Sequence, residues 1–383
     1  GANNVAVGYL ALEANTTGDS NTAVGSLALD ANTTGAQNVA IGQSALGANT
    51  TCGNLTAVGY GALCTNSTGT NNTAIGHASL DANTSGSAIV AVGIDALGAN
   101  TSAGEGTAVG YHALCSNTTG QSNTAVGFRA LCTNTTASYN TAVGRCAAYS
   151  NTTGQENTAV GQSSLLCNTT GGDNTAIGRG AMQSNTTASN NTAVGRNALQ
   201  NNTTGCFNTG VGQSSSFNIT TGNCNSFFGM NTGYEVTSGS NNLLLGYAAG
   251  RSTSPSGAIT TQSNRIVLGD NNITNAYVKV AWTVTSDLRD KTNFGTVPHG
   301  LDFVNQLEPV SFQFKKSRED NTPHGDVRYG FKAQDIMALE GDNPVIIDNE
   351  NEEALKYKGE HLVPVLVNAI KELKAEIELL KNK

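Results

Sequence analysis

The stretch Asn123–Gly127 reads N-T-A-V-G, and the same five letters return 17 residues later at 140–144. The glycine of this stretch recurs at that interval from Gly8 to Gly246, which makes fifteen copies of a unit with the consensus N-T-A-V-G-x-x-A-L-x-x-N-T-T-G-x-x. Stacked identical coils need a constant period, whereas a globular core does not. The sequence therefore predicts a mostly β protein whose residues 1–258 form a parallel β-solenoid shaft.

Each position of the 17-residue unit has a predicted role. The fourth is Val or Ile in the first thirteen copies, and because these residues suit a half-buried strand, we expect T-A-V to be a strand with position four pointing into the stacked core. The glycine at position five indicates a corner with positive φ or a close backbone approach. The Asn at position twelve can bond to its equivalents in neighbouring coils and to backbone groups of the N-T-T-G turn.

The repeated N-T-T triplets, such as Asn15-Thr16-Thr17, also fit the glycosylation sequon, but the recurrence of the turn explains them. Ice binding would need Thr on a flat strand face rather than at a turn. A glycosidase would need two carboxylates at a fixed separation, and the ten acidic residues before Ser286 form no recurring pair. The shaft is therefore not predicted to be an enzyme, although an exposed face could bind a host surface glycan or receptor weakly.

All eight cysteines lie in the repeats. Cys115 and Cys132 would sit on adjacent coils, close enough for a disulfide, but the favoured interpretation of the set is small thiols that replace Ala or Ser. No C-x-x-C spacing occurs, so the sequence predicts neither a metal site nor a cofactor.

The charge distribution divides the chain near Ser286. Residues 1–285 contain 7 Lys/Arg and 10 Asp/Glu, whereas residues 286–383 contain 13 and 18. No basic patch points to nucleic acid, and no apolar run reaches the roughly 18 residues of a membrane span. Because the chain opens inside the repeat pattern, we expect it to be the C-terminal part of a longer fibre.

Residues 259–285 are predicted to be a β connector between the shaft and the last domain. The period dissolves after Arg251, where the stretch Ser252–Gly257 is typical of a loop. Arg265–Gly269 and Ala276–Val284 have the composition of strands, and the second alternates between apolar and polar residues.

The segment that follows begins with Ser286, Asp287, Leu288, Arg289, Asp290 and Lys291. A desolvated lysine that has lost its proton can act as general base toward a serine hydroxyl. A separation of five residues does not place two side chains on the same face of a helix or of a strand, so Ser286 and Lys291 could meet only through a turn.

Further motifs follow in a fixed order: L-D-F-V-N-Q-L-E-P-V-S-F at 301–312, Y-G-F-K-A-Q-D-I at 329–336 and L-V-P-V-L-V-N-A-I-K-E-L at 362–373. Over nearly all of 286–383 this order resembles the C-terminal intramolecular chaperone of endosialidases and other phage tail spikes and fibres. The resemblance implies a small α+β domain that trimerises, guides folding of the preceding fibre and then cuts itself off in a single turnover in cis.

The same resemblance assigns the site through the motif S-D-x-R-x-K. It implies that Ser286 is the nucleophile, that Lys291 is the general base, and that the cut falls between Thr285 and Ser286, with Asp287 and Arg289 completing the motif. Asp290 departs from the family, which usually has an apolar residue there. An acid beside Lys291 favours the protonated amine and should slow the cut.

The shaft has a resemblance of its own. N-T-A-V-G is similar to the N-S-V-A-I-G segment of trimeric autotransporter adhesin heads, which are parallel β-rolls that associate as trimers. Both resemblances imply a homotrimer.

Residues 361–381 are predicted to be a helix whose apolar residues follow coiled-coil spacing. Ile at position a with Leu at position d favours dimers, and a helix packed on its own domain would show a similar pattern. The seam consists of Val363, Leu366, Ile370, Leu373, Ile377 and Leu380.

The combined expectation is a homotrimeric viral fibre of phage type, assembled in the host cytoplasm and carried on the virion. The alternative is a bacterial surface adhesin with the same chaperone, located at the cell surface. An ice-binding solenoid is the third hypothesis.

Overall fold

The computed structural model divides into two units, Gly1–Asp270, which we call the shaft, and Asn271–Lys383, the C-terminal unit. The structure describes residues 1–279, 286–315, 318–350 and 352–382.

The shaft is a parallel β-solenoid, as the period predicts. Each coil contributes one three-residue strand to a single sheet of sixteen strands that pair in chain order. Thr124, Ala125 and Val126 pair with Thr141, Ala142 and Val143, so each coil stacks on the next with no shift in register. The strands are β1 (Val5–Val7), β2 (Thr22–Val24), β3 (Val39–Ile41), β4 (Thr56–Val58), β5 (Thr73–Ile75), β6 (Val90–Val92), β7 (Thr107–Val109), β8 (Thr124–Val126), β9 (Thr141–Val143), β10 (Thr158–Val160), β11 (Thr175–Ile177), β12 (Thr192–Val194), β13 (Thr209–Val211), β14 (Ser226–Phe228), β15 (Leu243–Leu245) and β16 (Ile266–Leu268). Coils are numbered here by their strands.

Coil sixteen lies beyond the last copy of the 17-residue unit. Leu243 pairs with Ile266, a step of 23 residues, because the loop at 252–257 is inserted before the strand. The predicted strand at 265–269 is thus confirmed as part of the solenoid. Of the second predicted connector strand, residues 276–279 are not in a strand, and the rest lies outside the described residues.

The strands face the core with their middle residue, so the prediction that position four points inward is wrong. Ala125 is fully buried, whereas Val126 retains 36% of its exposure. The same pattern holds along the sheet, where the position-four side chains are half-buried or exposed. The interior of the coil is filled by Ala at positions three and eight and by Leu at position nine, which leaves the larger Val and Ile on the outer face.

The recurrent glycine at position five is confirmed as a corner that needs glycine for two reasons. Gly127 has φ +138°, and a Cβ built there would lie 2.5 Å from the carbonyl oxygen of Gly144 in the next coil. A side chain would therefore meet both backbone strain and the stacked backbone.

Stacked asparagines run through the core as predicted for position twelve. Asn134 Nδ2 donates to Asn117 Oδ1 at 2.9 Å and to the Ala137 carbonyl at 2.9 Å. A second column at position one, which the sequence analysis did not single out, does the same: Asn157 Nδ2 donates to the Gly171 carbonyl and its backbone N–H to Asn140 Oδ1. Because most of these asparagines are fully buried, the turn explains the N-T-T triplets.

The C-terminal unit is a small α+β assembly. Its helices are α1 (Leu301–Asn305), α2 (Ala333–Glu340) and α3 (Leu362–Lys381), and its strands are β17 (Val310–Lys315), β18 (Pro323–Gly330), β19 (Ile347–Asp348) and β20 (Lys356–Tyr357). Strands β17 and β18 form an antiparallel hairpin, and β19 pairs antiparallel with β20.

Helix α3 shows two apolar faces. One face packs on the unit's own core through Leu362, Val365 and Ala369. The core also contains Phe303, Ile336, Ile346 and Ile347. The predicted coiled-coil seam forms the other face and stays exposed; Ile370, for example, retains 66% of its exposure. The seam is therefore not the surface by which α3 packs on its own domain.

Candidate active site

The segment before α1 opens with a tight turn that follows from the local sequence. Asp287 caps a 3-10 turn at Leu288–Asp290: its carboxylate accepts the backbone N–H of Arg289 at 2.8 Å. The N–H of Lys291 then donates to the Leu288 carbonyl and closes the turn. Aspartate is a favoured capping residue because its short side chain reaches backbone donors at the start of a turn.

This turn brings the predicted nucleophile and base together. Lys291 Nζ donates to Ser286 Oγ at 2.6 Å, across the five-residue spacing that required a turn. A lysine and a serine in hydrogen-bond contact are the minimal pair for base-assisted nucleophilic attack, provided that the amine is unprotonated when it acts.

Asp287 and Arg289 form an ion pair on the same turn. Arg289 Nε lies 3.1 Å from Asp287 Oδ1, and its terminal nitrogen lies 2.6 Å from Oδ2. The guanidinium, and after it the Arg289 backbone N–H, holds the pKa of the Asp287 carboxyl below its usual value, while Asp287 raises the pKa of Arg289. Both groups face water, so the pair stabilises little by itself and serves to shape the turn.

The surroundings of the pair are open to solvent in the single chain. Ser286 and Lys291 are both exposed, as is Asp290 at the end of the turn. Leu288 and Phe294 also retain about two thirds of their surface, which is unusual for large apolar side chains beside a polar site. The turn thus presents a formed Ser–Lys contact within an uncovered apolar neighbourhood.

The structure brings together four of the five predicted site residues and leaves the fifth untested. Ser286, Asp287, Arg289 and Lys291 lie on one turn. Thr285, on the other side of the predicted cut, lies outside the described residues. Sequence reasoning missed the capping role of Asp287 and the exposure of Leu288, and the capping preference of aspartate was the available signal for the first.

Comparison with known proteins gives one family. Residues 286–344 match the model of a peptidase family described as the chaperone of endosialidase. The match begins at Ser286 and covers the turn, α1, the β17–β18 hairpin and α2, but not the shaft. No curated protein gives a significant match to the chain. Residues 286–344 of the C-terminal unit are thus similar to a chaperone that is also classed as a peptidase.

One further observation bears on location. None of the helices within the described ranges combines the length and the apolar character of a membrane span.

Proposed function

We propose that the chain is a structural and adhesive fibre that assembles as a homotrimer, and that its C-terminal unit guides assembly and then releases itself by cutting between Thr285 and Ser286. The observation that carries this proposal is the 2.6 Å contact between Lys291 Nζ and Ser286 Oγ at the first residue of the segment similar to the chaperone of endosialidase. A sixteen-coil shaft precedes that segment.

The cut is a hydrolysis carried out by the chain on itself. Ser286 Oγ attacks the Thr285 carbonyl carbon while Lys291 Nζ takes the hydroxyl proton. The Ser286 nitrogen leaves with that proton, so the Thr285 acyl group moves from nitrogen to oxygen and forms an ester. Water then opens the ester, giving the Thr285 carboxylate and restoring the Ser286 hydroxyl. One water is consumed, and each chain reacts once.

Dependence on assembly follows from the exposure of the pair. A lysine amine in bulk water carries a proton, and in that state it donates to the serine oxygen instead of accepting from it. If partner chains cover Leu288 and Phe294, water leaves the turn and the neutral amine is favoured. Cleavage would then report that the chains have assembled.

Two exposed apolar surfaces support association with further copies of the chain. The first is the seam of α3, described above. The second is the outer face of the shaft, where the position-four residues Val126 and Val143 belong to a column that runs along all sixteen strands. Monomeric soluble proteins rarely expose continuous apolar surfaces of such length. The number three comes from the resemblance to trimeric fibres and their chaperone.

The biological setting proposed is a viral fibre of phage type, carried on the virion and assembled in the host cytoplasm. The shaft could contact a host surface glycan through exposed aromatics such as Tyr60 and Tyr111, because aromatic faces suit the apolar faces of sugars. Tyr111 stacks on Phe128 with ring centroids 5.4 Å apart, so such a surface spans two coils. Neighbouring tail genes would support the viral setting, whereas a membrane anchor in the full gene would support a bacterial adhesin.

The experiment that tests the proposal uses the seam of α3. Ile370→Asp places a charge in the seam, so we expect light scattering to give the mass of one chain and mass spectrometry to find that chain uncut. Leu379→Asp is the matched control: Leu379 is equally exposed but lies off the seam, and that variant should be trimeric and cleaved. A trimeric Ile370→Asp chain would refute the assembly surface, and a cleaved monomer would refute the coupling.

A further inference from the structure

Three side chains able to bind a metal ion meet on coils six and seven of the shaft. Asp95 and His112 occupy position seven of consecutive coils, and Cys115 follows His112 by three residues. Asp95 Oδ2 lies 3.5 Å from His112 Nδ1, and one ligand atom from each of the three residues lies within 4.8 Å of the other two. Ligand atoms around a tetrahedral zinc ion are about 3.3–3.8 Å apart, so small side-chain movements would close the site.

Gly98 makes room for this arrangement. It occupies the position in coil six that Cys115 occupies in coil seven, and a Cβ built on Gly98 would overlap Asp95 Oδ1. Asp81 Oδ1 lies 3.5 Å from the same point, so two carboxylates converge on the gap. A bound cation would offset the negative charge of these two neighbouring carboxylates.

The ligands are held by stacked backbone and by ring packing. His112 donates its backbone N–H to the Ile94 carbonyl at 3.0 Å, and its ring stacks on Tyr111 with centroids 4.0 Å apart. Arg129 follows in the same column on coil eight, but its guanidinium lies over the Phe128 ring, 5.4 Å from the centroid. The site is thus preorganised on rigid coils, which favours tight binding.

A second sulfur lies beside the cluster. Cys132 Sγ is 2.9 Å from Cys115 Sγ, closer than the roughly 3.8 Å between two thiolates on one zinc ion. Cys132 does not belong to the set whose ligand atoms all lie within 4.8 Å of one another, so it is not one of the ligands. Cys115 Sγ, in contrast, lies within 4.8 Å of ligand atoms of both Asp95 and His112.

We infer that Asp95, His112 and Cys115 form a site for a divalent cation of the zinc class that clips coil six to coil seven. One carboxylate oxygen, one imidazole nitrogen and one thiolate form a ligand set typical of zinc, with water completing the tetrahedron. The two anionic ligands balance the charge of the dication. A disulfide between Cys115 and Cys132 would exclude the ion, because the Cys115 sulfur would no longer be a thiolate ligand. Forming that disulfide requires an oxidant such as dioxygen, which removes two electrons and two protons from the two thiols.

Cobalt titration of the 383-residue chain tests the site. With the chain reduced by a phosphine, we expect one equivalent of Co²⁺ per chain to give a thiolate-to-cobalt charge-transfer band and the d–d bands of four-coordinate cobalt. Zn²⁺ should remove both, because it binds such ligands more tightly than Co²⁺. Cys115→Ser should lose the charge-transfer band, whereas Cys64→Ser, at the same position in coil four, should keep it. Asp95→Asn should weaken binding by at least about tenfold.

Thermal unfolding gives an independent readout if a variant is poorly folded. Zn²⁺ should raise the melting temperature of the reduced wild type and of the Cys132→Ser variant, because both proteins keep all three proposed ligands. A reduced wild-type chain that binds no Co²⁺ would overturn the inference. So would a charge-transfer band that persists in Cys115→Ser. A chain that stays cross-linked at Cys115–Cys132 under reduction would assign this cluster to a disulfide instead.

Discussion

The shaft and the C-terminal unit bury their apolar residues in different ways. In the shaft, Ala125 and Leu131 are fully buried, and the same positions are filled in nearly every coil, so the core is completed within one chain. In the C-terminal unit, the core consists of a few side chains around Ile336 and Ile347, while the α3 seam and hairpin residues such as Tyr329 remain exposed. The missing contacts of the C-terminal unit are those that other chains could supply.

In the proposed function, this difference suits the two regions to separate tasks. A single 17-residue coil buries too little to fold by itself, so folding of the shaft must start where several coils can stack on one another. The C-terminal unit, with its unsatisfied apolar faces, is suited to bring chains together before the shaft stacks. Once stacked, the shaft should no longer need it.

The largest effect should come from removing the C-terminal unit at the level of the gene. A chain ending at residue 285 should give mostly insoluble or misassembled shaft, because no C-terminal unit would align the chains before their coils stack. A shaft that is first assembled and then cleaved should remain soluble and kinetically stable. Soluble yield and light scattering of the two preparations make the comparison. A soluble trimeric shaft expressed alone would contradict the chaperone role.

The next effect separates the two faces of one strand. Ala125→Asp places an unpaired charge in the closed core and should destabilise the neighbouring coils by about 3–5 kcal/mol, whereas Val126→Asp should leave each coil folded and weaken association between chains. Circular dichroism melting reports the first change and light scattering the second.

A milder pair of variants serves if the charged ones do not fold. Ala125→Val overfills the narrow core and should cost about 1–3 kcal/mol. Val126→Ala only trims the outer face and should change the melting of the coil far less. Equal effects of the two variants would show that the inner and outer faces are assigned incorrectly.

The position-four residues show where sequence reasoning reached its limit. The period identifies the solenoid, the glycine corner and the asparagine column because each depends on local backbone geometry or on self-stacking. It does not tell which face of a three-residue strand is inside, and the larger residue was expected there. In a narrow coil the interior accepts Ala125 and leaves Val126 outside.

Two other features were missed because they interrupt or cross the period. The strand of coil sixteen pairs with the strand before it at a separation of 23 residues, six more than the repeat, so the strand at 266–268 was assigned to a connector. The Asp95–His112–Cys115 cluster forms between coils and has no linear motif spacing. The Ser286–Lys291 pair was predicted because a short turn joins residues that are close in sequence, but its roles came from the family resemblance.

A smaller effect concerns the rate of cleavage. Asp290 ends the turn that carries Lys291, and replacing it by leucine removes one negative charge next to the proposed base. Asp290→Leu should therefore cut as fast as the wild type or up to about fivefold faster, since one exposed charge interaction is worth at most about 1 kcal/mol. The measurement is the fraction of cleaved chain against time after refolding. A clearly slower Asp290→Leu chain would show that this acid assists the reaction.

The Ser286–Lys291 mechanism can be tested by mass spectrometry of the purified wild-type chain and of its Ser286→Ala, Lys291→Ala and Lys291→Arg variants. We predict that the wild type yields fragments 1–285 and 286–383 with Ser286 at the new N-terminus. The three variants should remain intact and trimeric; Lys291→Arg fails because guanidinium stays protonated. A new terminus at another residue, or efficient cleavage of Lys291→Ala, would contradict the Ser286–Lys291 mechanism.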